Sequence, residues 1–96
     1  MYRLRFEKRY LRKYRSLVKN NPGLKATISK TLRLLSQDPF TPSLTSHKVF
    51  DSEGEPAFSV RVTGDLRIIW EYSKTERDAI DILDIGGHSG SKKVHR

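Results

Sequence analysis

Alternating apolar and polar residues between Ala57 and Tyr72 predict two β-strands joined by a tight turn. Alternation with period two, rich in β-branched and aromatic residues, is typical of half-buried strands. Gly64-Asp65 supplies the turn between them. The apolar positions of the two strands are Phe58, Val60 and Val62, followed by Leu66, Ile68, Trp70 and Tyr72.

The turn also predicts the register of this hairpin. A three-residue loop, 63–65, gives one apolar face, and a slip of one residue would scatter its side chains to both faces. The pairs on this face are Val62 with Leu66, Val60 with Ile68 and Phe58 with Trp70. On the other face Arg61 lies directly opposite Arg67, although like charges across a ladder are destabilising. We therefore expect an anion to bind between these two arginines.

Upstream of the hairpin the period changes from two to that of a helix. Residues 2–6 alternate as a short strand, and helical spacing begins at Glu7. A second helix is predicted to run to about Gln37. Asn21 can cap this helix, and Pro22 suits its first position.

The rest of the chain completes a predicted α+β domain. Residues 38–45 form a loop, 47–50 a short strand and 79–85 a final strand. The order β-α-α-β-β-β-β, over a single domain of residues 1–96, predicts an antiparallel sheet of about four to five strands. The N-terminal helical hairpin is expected to pack on its apolar face and to leave the face with the two arginines open.

Positive charge is concentrated in the first third of the chain. The net charge is +8, and residues 1–30 carry ten Lys/Arg against the single acid Glu7. Such a patch suits nucleic acid, an acidic protein or an anionic membrane, and it could also be a solvated helix face. The candidate RNA or ribosome contacts are Lys8, Arg12, Arg15, Lys19, Lys92 and Lys93.

Several function classes are disfavoured by composition. There is no cysteine, and the three histidines lack paired-ligand spacing, so neither a metal site nor a cofactor is predicted. No run approaches the roughly 20 apolar residues of a membrane span, and no signal peptide is recognised. We expect a cytoplasmic protein without a membrane partner.

The remaining polar residues suit metal-free cleavage of RNA. Arg61 and Arg67 can stabilise a crowded phosphate in the transition state. His88 follows two glycines after the last strand, His47 begins the short second strand, and Asp65 lies in the hairpin turn. A His or Asp can remove the 2′-OH proton while another group protonates the leaving oxygen. Each is also common at such a place for local structural reasons.

Two runs of this sequence resemble the RelE/ParE toxin superfamily. They are Ser59 to Trp70 and Ile82 to His88, and they are most similar to RelE/YafQ/YoeB-like mRNA interferases. The resemblance implies the toxin of a type II toxin–antitoxin system that cuts mRNA on the ribosome. It implies as partners a cognate antitoxin, in a possible hetero-oligomer, together with the ribosome and mRNA.

The resemblance also implies roles for individual residues. Arg67 matches the transition-state arginine of the family, and His88 matches the histidine near the C-terminus of YafQ-like members. Asp65 and His47 match other YafQ-like site positions, and Arg61 stands where relatives place a basic residue or histidine.

Two other functions stay open from the sequence. One is a ParE-like toxin that inhibits DNA gyrase and cuts nothing, since the fold is shared. The other is a non-catalytic module that binds RNA or protein through the basic hairpin. A general acid or base favours the nuclease, because a gyrase inhibitor has no need of one.

Overall fold

The computed structural model describes residues 1–50 and 53–87, and shows two helices packed on one face of a five-stranded sheet. The predicted α+β element order is confirmed. In chain order the elements are β1 (Arg3–Phe6), α1 (Lys8–Val18), α2 (Pro22–Gln37), a 3₁₀ turn (Pro42–Leu44), β2 (His47–Phe50), β3 (Pro56–Arg61), β4 (Leu66–Tyr72) and β5 (Ala79–Gly87).

The strands lie in the order β1-β5-β4-β3-β2, and one edge of the sheet differs from the antiparallel prediction. Three neighbouring pairs are antiparallel, but β1 runs parallel to β5, with Arg3 opposite Ala79 and Phe6 opposite Ile82. Alternation in a sequence indicates which side chains share a face, and it carries no information on the direction of a distant neighbouring strand. The sheet is therefore mixed.

The helix boundaries follow the predicted capping residues. Asn21 Oδ1 accepts a hydrogen bond from the Leu24 backbone N–H at 3.1 Å, and Pro22 is the first residue of α2. At the other end the Asp38 N–H still donates to the Leu34 carbonyl at 2.9 Å. Pro39 follows, and because a proline disfavours helical backbone in the residue before it, the helix ends here.

The main core lies between the helices and the sheet, as predicted. Its buried side chains are Tyr10, Ile28, Leu35, Leu44, Val60, Leu66, Ile68, Trp70, Ile80, Ile82 and Ile85. Burial of one such aliphatic side chain contributes about 1.5–3 kcal/mol relative to exposure. The face of β3 and β4 that carries Val60, Ile68 and Trp70 is called the helix-side face below.

The opposite face is not open, and this part of the prediction is wrong. We call it the far face; in β3 and β4 it comprises Ala57, Ser59, Arg61, Arg67, Ile69 and Glu71. Val49, Ala57 and Ile69 are buried there, and Leu83 packs against them as a second apolar cluster. The register of β4 with β5 shifts after Ile69, so Leu83 is an extra residue at a bulge. The prediction overlooked the second cluster because it read the far face from its charges.

Asp84 joins the first helix to the last strand. The residue is 7% exposed, and its carboxylate lies 2.8 Å from Lys13 Nζ and 3.9 Å from an Arg9 guanidinium nitrogen. Its Oδ1 also accepts a hydrogen bond from the Ile85 N–H at 2.9 Å. Two of the basic residues of α1 are therefore committed to holding the helix on the sheet. No described helix is long and apolar enough to cross a membrane.

Candidate functional site

The β3–β4 hairpin brings two arginines face to face, as the register predicted. Arg61 pairs with Arg67 across the ladder, and the Val62 N–H donates to the Leu66 carbonyl at 2.9 Å just beyond them. Thr63 organises the turn, because its Oγ1 accepts from the Leu66 N–H at 3.0 Å. A turn fixed by its own side chain holds the arginine pair in register.

The two arginines differ in exposure. Arg61 is exposed, whereas Arg67 is only 8% exposed and its Nε has no hydrogen-bond partner in residues 1–50 and 53–87. The expectation that both project from an open face is wrong for Arg67. Its neighbour on the other side is Gly86 of β5, which offers no side chain to pair with it. No described residue forms an ion pair with Arg67. Burial of a guanidinium without a counter-charge is costly, and a bound anion would offset that cost.

His47 lies on β2, the strand next to β3, and one of its ring nitrogens forms a hydrogen bond. It pairs with Ser59 across the β2–β3 ladder, and its exposed ring places Nδ1 3.3 Å from the Thr45 carbonyl oxygen. A carbonyl only accepts, so this hydrogen bond requires the proton on Nδ1. The lone pair of a neutral His47 then lies on Nε2, which is the free acceptor of the ring.

The other predicted site residues are one residue of the hairpin turn and three residues near the C-terminus. Asp65 is exposed in the turn before β4, where its backbone N–H contacts Thr63 Oγ1 at 3.4 Å. His88, Lys92 and Lys93 lie outside the described residues. The structure thus brings together Arg61 and Arg67, with His47 on β2 opposite Ser59 and diagonal to Arg61.

Ser59 belongs to this cluster, and the sequence analysis did not select it. It is fully buried on the far face between His47 of β2 and Ile69 of β4, two positions before Arg61. Its Oγ has no hydrogen-bond partner within the described ranges. The available signal was a serine on the same face as two facing arginines.

The predicted basic stripe of α1 faces solvent. Its four members are exposed and make no ion pair with another described residue: Lys8, Arg12, Arg15 and Lys19. They recur every three to four positions and so share one side of the helix. Arg9 and Lys13 point instead to Asp84.

Candidate metal ligands do not converge in the part of the chain that the structure describes. No group of three His, Asp or Glu side chains there is arranged to hold an ion. The cluster on the far face is cationic, and its chemistry is that of an anion site.

Comparison with known proteins identifies the fold. A metal-bound toxin from Helicobacter pylori superimposes with a TM-score of 0.73 at 20% identity, over 92% of this chain and 96% of that one. A chain of an archaeal RelE–RelB complex from Pyrococcus horikoshii OT3 gives a TM-score of 0.70 at 19% identity, over 94% of this chain and 98% of that one. A YoeB/ParE toxin from Agrobacterium tumefaciens gives 0.69 at 13%, over 98% and 99%. The chain has the fold of these toxins.

The RelE-like fold is detected by comparison with solved structures and not by comparison with family models or curated sequences. No family model and no curated protein sequence matches the chain. The predicted resemblance to the RelE/ParE toxin superfamily is confirmed in the fold.

Proposed function

We propose that this chain is the toxin of a type II toxin–antitoxin pair and that it cleaves mRNA on the ribosome without a metal ion. The observation that carries the proposal is the buried Arg67 guanidinium, whose Nε lacks a partner within the described ranges and which faces Arg61 on a RelE-like fold. Two cationic groups at paired positions of neighbouring strands suit the binding of one phosphate diester.

The chemistry assigned to the site is transfer of the phosphate to the neighbouring 2′-oxygen. His47 Nε2 takes the 2′-OH proton, and the 2′-oxygen attacks phosphorus. The bond from phosphorus to the 5′-oxygen breaks, which leaves a 2′,3′-cyclic phosphate and a 5′-hydroxyl. His88 donates the proton to the leaving oxygen, and Asp65 is the alternative proton-transfer group. Arg61 and Arg67 stabilise the charge on the phosphate as it becomes pentacovalent.

The test measures cleavage of mRNA by primer extension on ribosomes programmed with that mRNA. No metal is added beyond the ions that the ribosomes require. Arg67→Ala and His88→Ala should each lower the rate by about a hundredfold or more. Arg61→Ala should have a smaller effect, since Arg67 still holds the phosphate. Arg33→Ala, an exposed arginine of α2, is the matched control and should cut at the parental rate.

Two outcomes would overturn the nuclease proposal. One is parental cleavage by both Arg67→Ala and His88→Ala, which would place the site elsewhere. The other is a parent that cuts no mRNA but blocks supercoiling by DNA gyrase, which would establish the ParE-like alternative.

Ribosome contact is assigned to the exposed stripe of α1. Phosphate contacts make affinity fall steeply with salt. Reversing all four charges to Glu should weaken ribosome binding and flatten its salt dependence. The control reverses three exposed basic residues of α2: Lys25, Lys30 and Arg33. Equal binding and an equal salt slope in the α1 variant would contradict this assignment.

An antitoxin partner is proposed on two grounds. The first 30 residues are strongly basic, and RelE–RelB and YoeB–YefM are neighbours solved as complexes. We expect an acidic and partly apolar partner encoded beside this gene, which co-purifies with the chain and relieves its toxicity. Expression that is harmless alone and yields no such complex would contradict this proposal.

A further inference from the structure

On the far face of the β3–β4 hairpin, two polar atoms are buried without a hydrogen-bond partner among the described residues. They are Ser59 Oγ and Arg67 Nε, which belong to side chains that are 0% and 8% exposed. Buried polar groups in native proteins are almost always bonded, so each unpaired atom requires an explanation. Here two of them occur on one face of one hairpin.

The register places these two side chains on a diagonal of the ladder. Ser59 pairs with Ile69 and Arg67 pairs with Arg61, so Ser59 and Arg67 are diagonal neighbours on the same face. Diagonal neighbours are about 7–8 Å apart, with their Cβ atoms somewhat closer. An arginine Nε lies three bonds beyond its Cβ and a serine Oγ one bond beyond, so the two atoms can meet.

The two atoms are also chemically complementary. The Nε–H of arginine can only donate, and the serine hydroxyl has lone pairs that accept. A hydrogen bond between them would satisfy both atoms at once. It would also fix the plane of the guanidinium and leave Nη1 and Nη2 for a bidentate grip on a phosphate.

We propose that Ser59 is a positioning residue for Arg67: its Oγ accepts from Arg67 Nε–H when the guanidinium binds a phosphate. The proposal rests on the proposed function only for the identity of that phosphate as part of RNA. Packing alone does not call for the hydroxyl, because Ala57, on the same strand and face, is fully buried without one. Ser59 does not itself touch the substrate.

The direct test is NMR of protein labelled with ¹⁵N-arginine and titrated with inorganic phosphate. In the parent, saturation with phosphate should shift the Arg67 Nε–Hε resonance and slow its exchange with water. In Ser59→Ala the phosphate should still bind, but about tenfold more weakly, and the Nε–Hε resonance should stay in fast exchange. The Arg61 resonance serves as the internal control.

A second pair of variants separates the hydroxyl from side-chain volume. Ser59→Thr and Ser59→Val have nearly the same shape and differ in a hydroxyl, so Thr should keep the protected Nε–Hε signal and Val should lose it. This comparison holds even if removal of volume in Ser59→Ala disturbs the fold. On ribosomes, Val should lower the cleavage rate about tenfold relative to Thr, with ribosome affinity unchanged.

The failure of this inference differs from the failure of the proposed function. If Ser59→Ala, and Val compared with Thr, leave phosphate affinity and the Arg67 signal unchanged, the positioning role is wrong whatever the chain does to mRNA. If the signal is lost as expected but the parent cuts no mRNA, the positioning role stands and the nuclease proposal falls.

Discussion

The helix-side and far faces of the β3–β4 hairpin are both largely buried, and they bury different chemistry. Val60, Ile68 and Trp70 on the helix side are fully buried in the main core. The far face carries a small apolar cluster together with Ser59 and Arg67, whose buried polar atoms are unpaired within the described residues. One pair of strands thus presents an apolar surface to the helices and a cationic one away from them.

This difference fits the proposal that one face stabilises the fold and the other binds an anion. Unpaired polar atoms occur on the helix side as well, at Tyr10 and Trp70, but each belongs to an aromatic ring whose packing area offsets its cost. A guanidinium buries much less apolar area than an aromatic ring, and it also carries a charge. The proposed anion site on the far face would account for its burial.

The largest expected effect is on the helix side, in Trp70→Ala. Trp70 is fully buried and stacks on Phe58 with ring centroids 4.7 Å apart, so truncation leaves a large cavity. We expect a loss of about 3–5 kcal/mol in the free energy of unfolding, measured by urea denaturation. Trp70→Phe should lose much less, because it keeps a ring. If Trp70→Ala unfolds at the same urea concentration as the parent, the helix-side face is not the main source of stability.

Arg67→Leu should separate the two faces most cleanly. Replacing a buried charge by an apolar side chain removes the cost of its desolvation, so stability should change by less than about 1 kcal/mol or rise. Cleavage should nevertheless fall by about a hundredfold. Urea denaturation and ribosomal primer extension on the same preparation give both numbers. A large loss of stability would make Arg67 a structural residue instead.

The smallest effect is expected for Tyr10→Phe on the helix side. The Tyr10 hydroxyl is buried with no partner in the described residues, so its removal should leave stability unchanged or raise it by about 1 kcal/mol. Burial, and then the neighbouring Tyr14, raise the pKa of Tyr10. The fold therefore favours the neutral form of Tyr10. The free energy of unfolding of the parent should stay constant with respect to this group below about pH 10 and fall as the pH rises further.

Urea denaturation between pH 9 and 11 measures that loss. The free energy of unfolding of Tyr10→Phe should decline less steeply with pH than that of the parent. The decline that remains includes the ionisation of Tyr72, whose pKa is raised chiefly by burial. The control is Tyr14→Phe, which removes the neighbour but keeps the Tyr10 hydroxyl. Equal declines in the parent and in Tyr10→Phe would show that Tyr10 ionises as readily in the fold as in the unfolded chain.

The sequence was sufficient to predict what short-range rules determine. The alternation around the turn gave the facing pair Arg61 and Arg67, and Asn21-Pro22 gave the start of α2. In each case the controlling interactions lie within a few residues. The position of His47 at the start of β2 follows from the same kind of pattern.

Features that depend on distant contacts could not be predicted in this way. The burial of Arg67 was missed because a charged residue on a strand is ordinarily exposed. Ser59 was read only as a polar position of the alternation, since its burial requires β2 and β4 on either side. The bulge at Leu83 depends on how β5 pairs with β4, which no local pattern indicates.

The parallel pairing of β1 with β5 determines when the domain can be completed during synthesis. Arg3 pairs with Ala79, which lies 76 positions later in the chain. At translation rates of roughly 5–20 residues per second, the first strand waits about 4–15 s for its partner. The β3–β4 hairpin can close earlier, because its contacts are local. A nascent chain can therefore pair its two arginines before it has a finished sheet, whereas β1 can join the sheet only once β5 has been made.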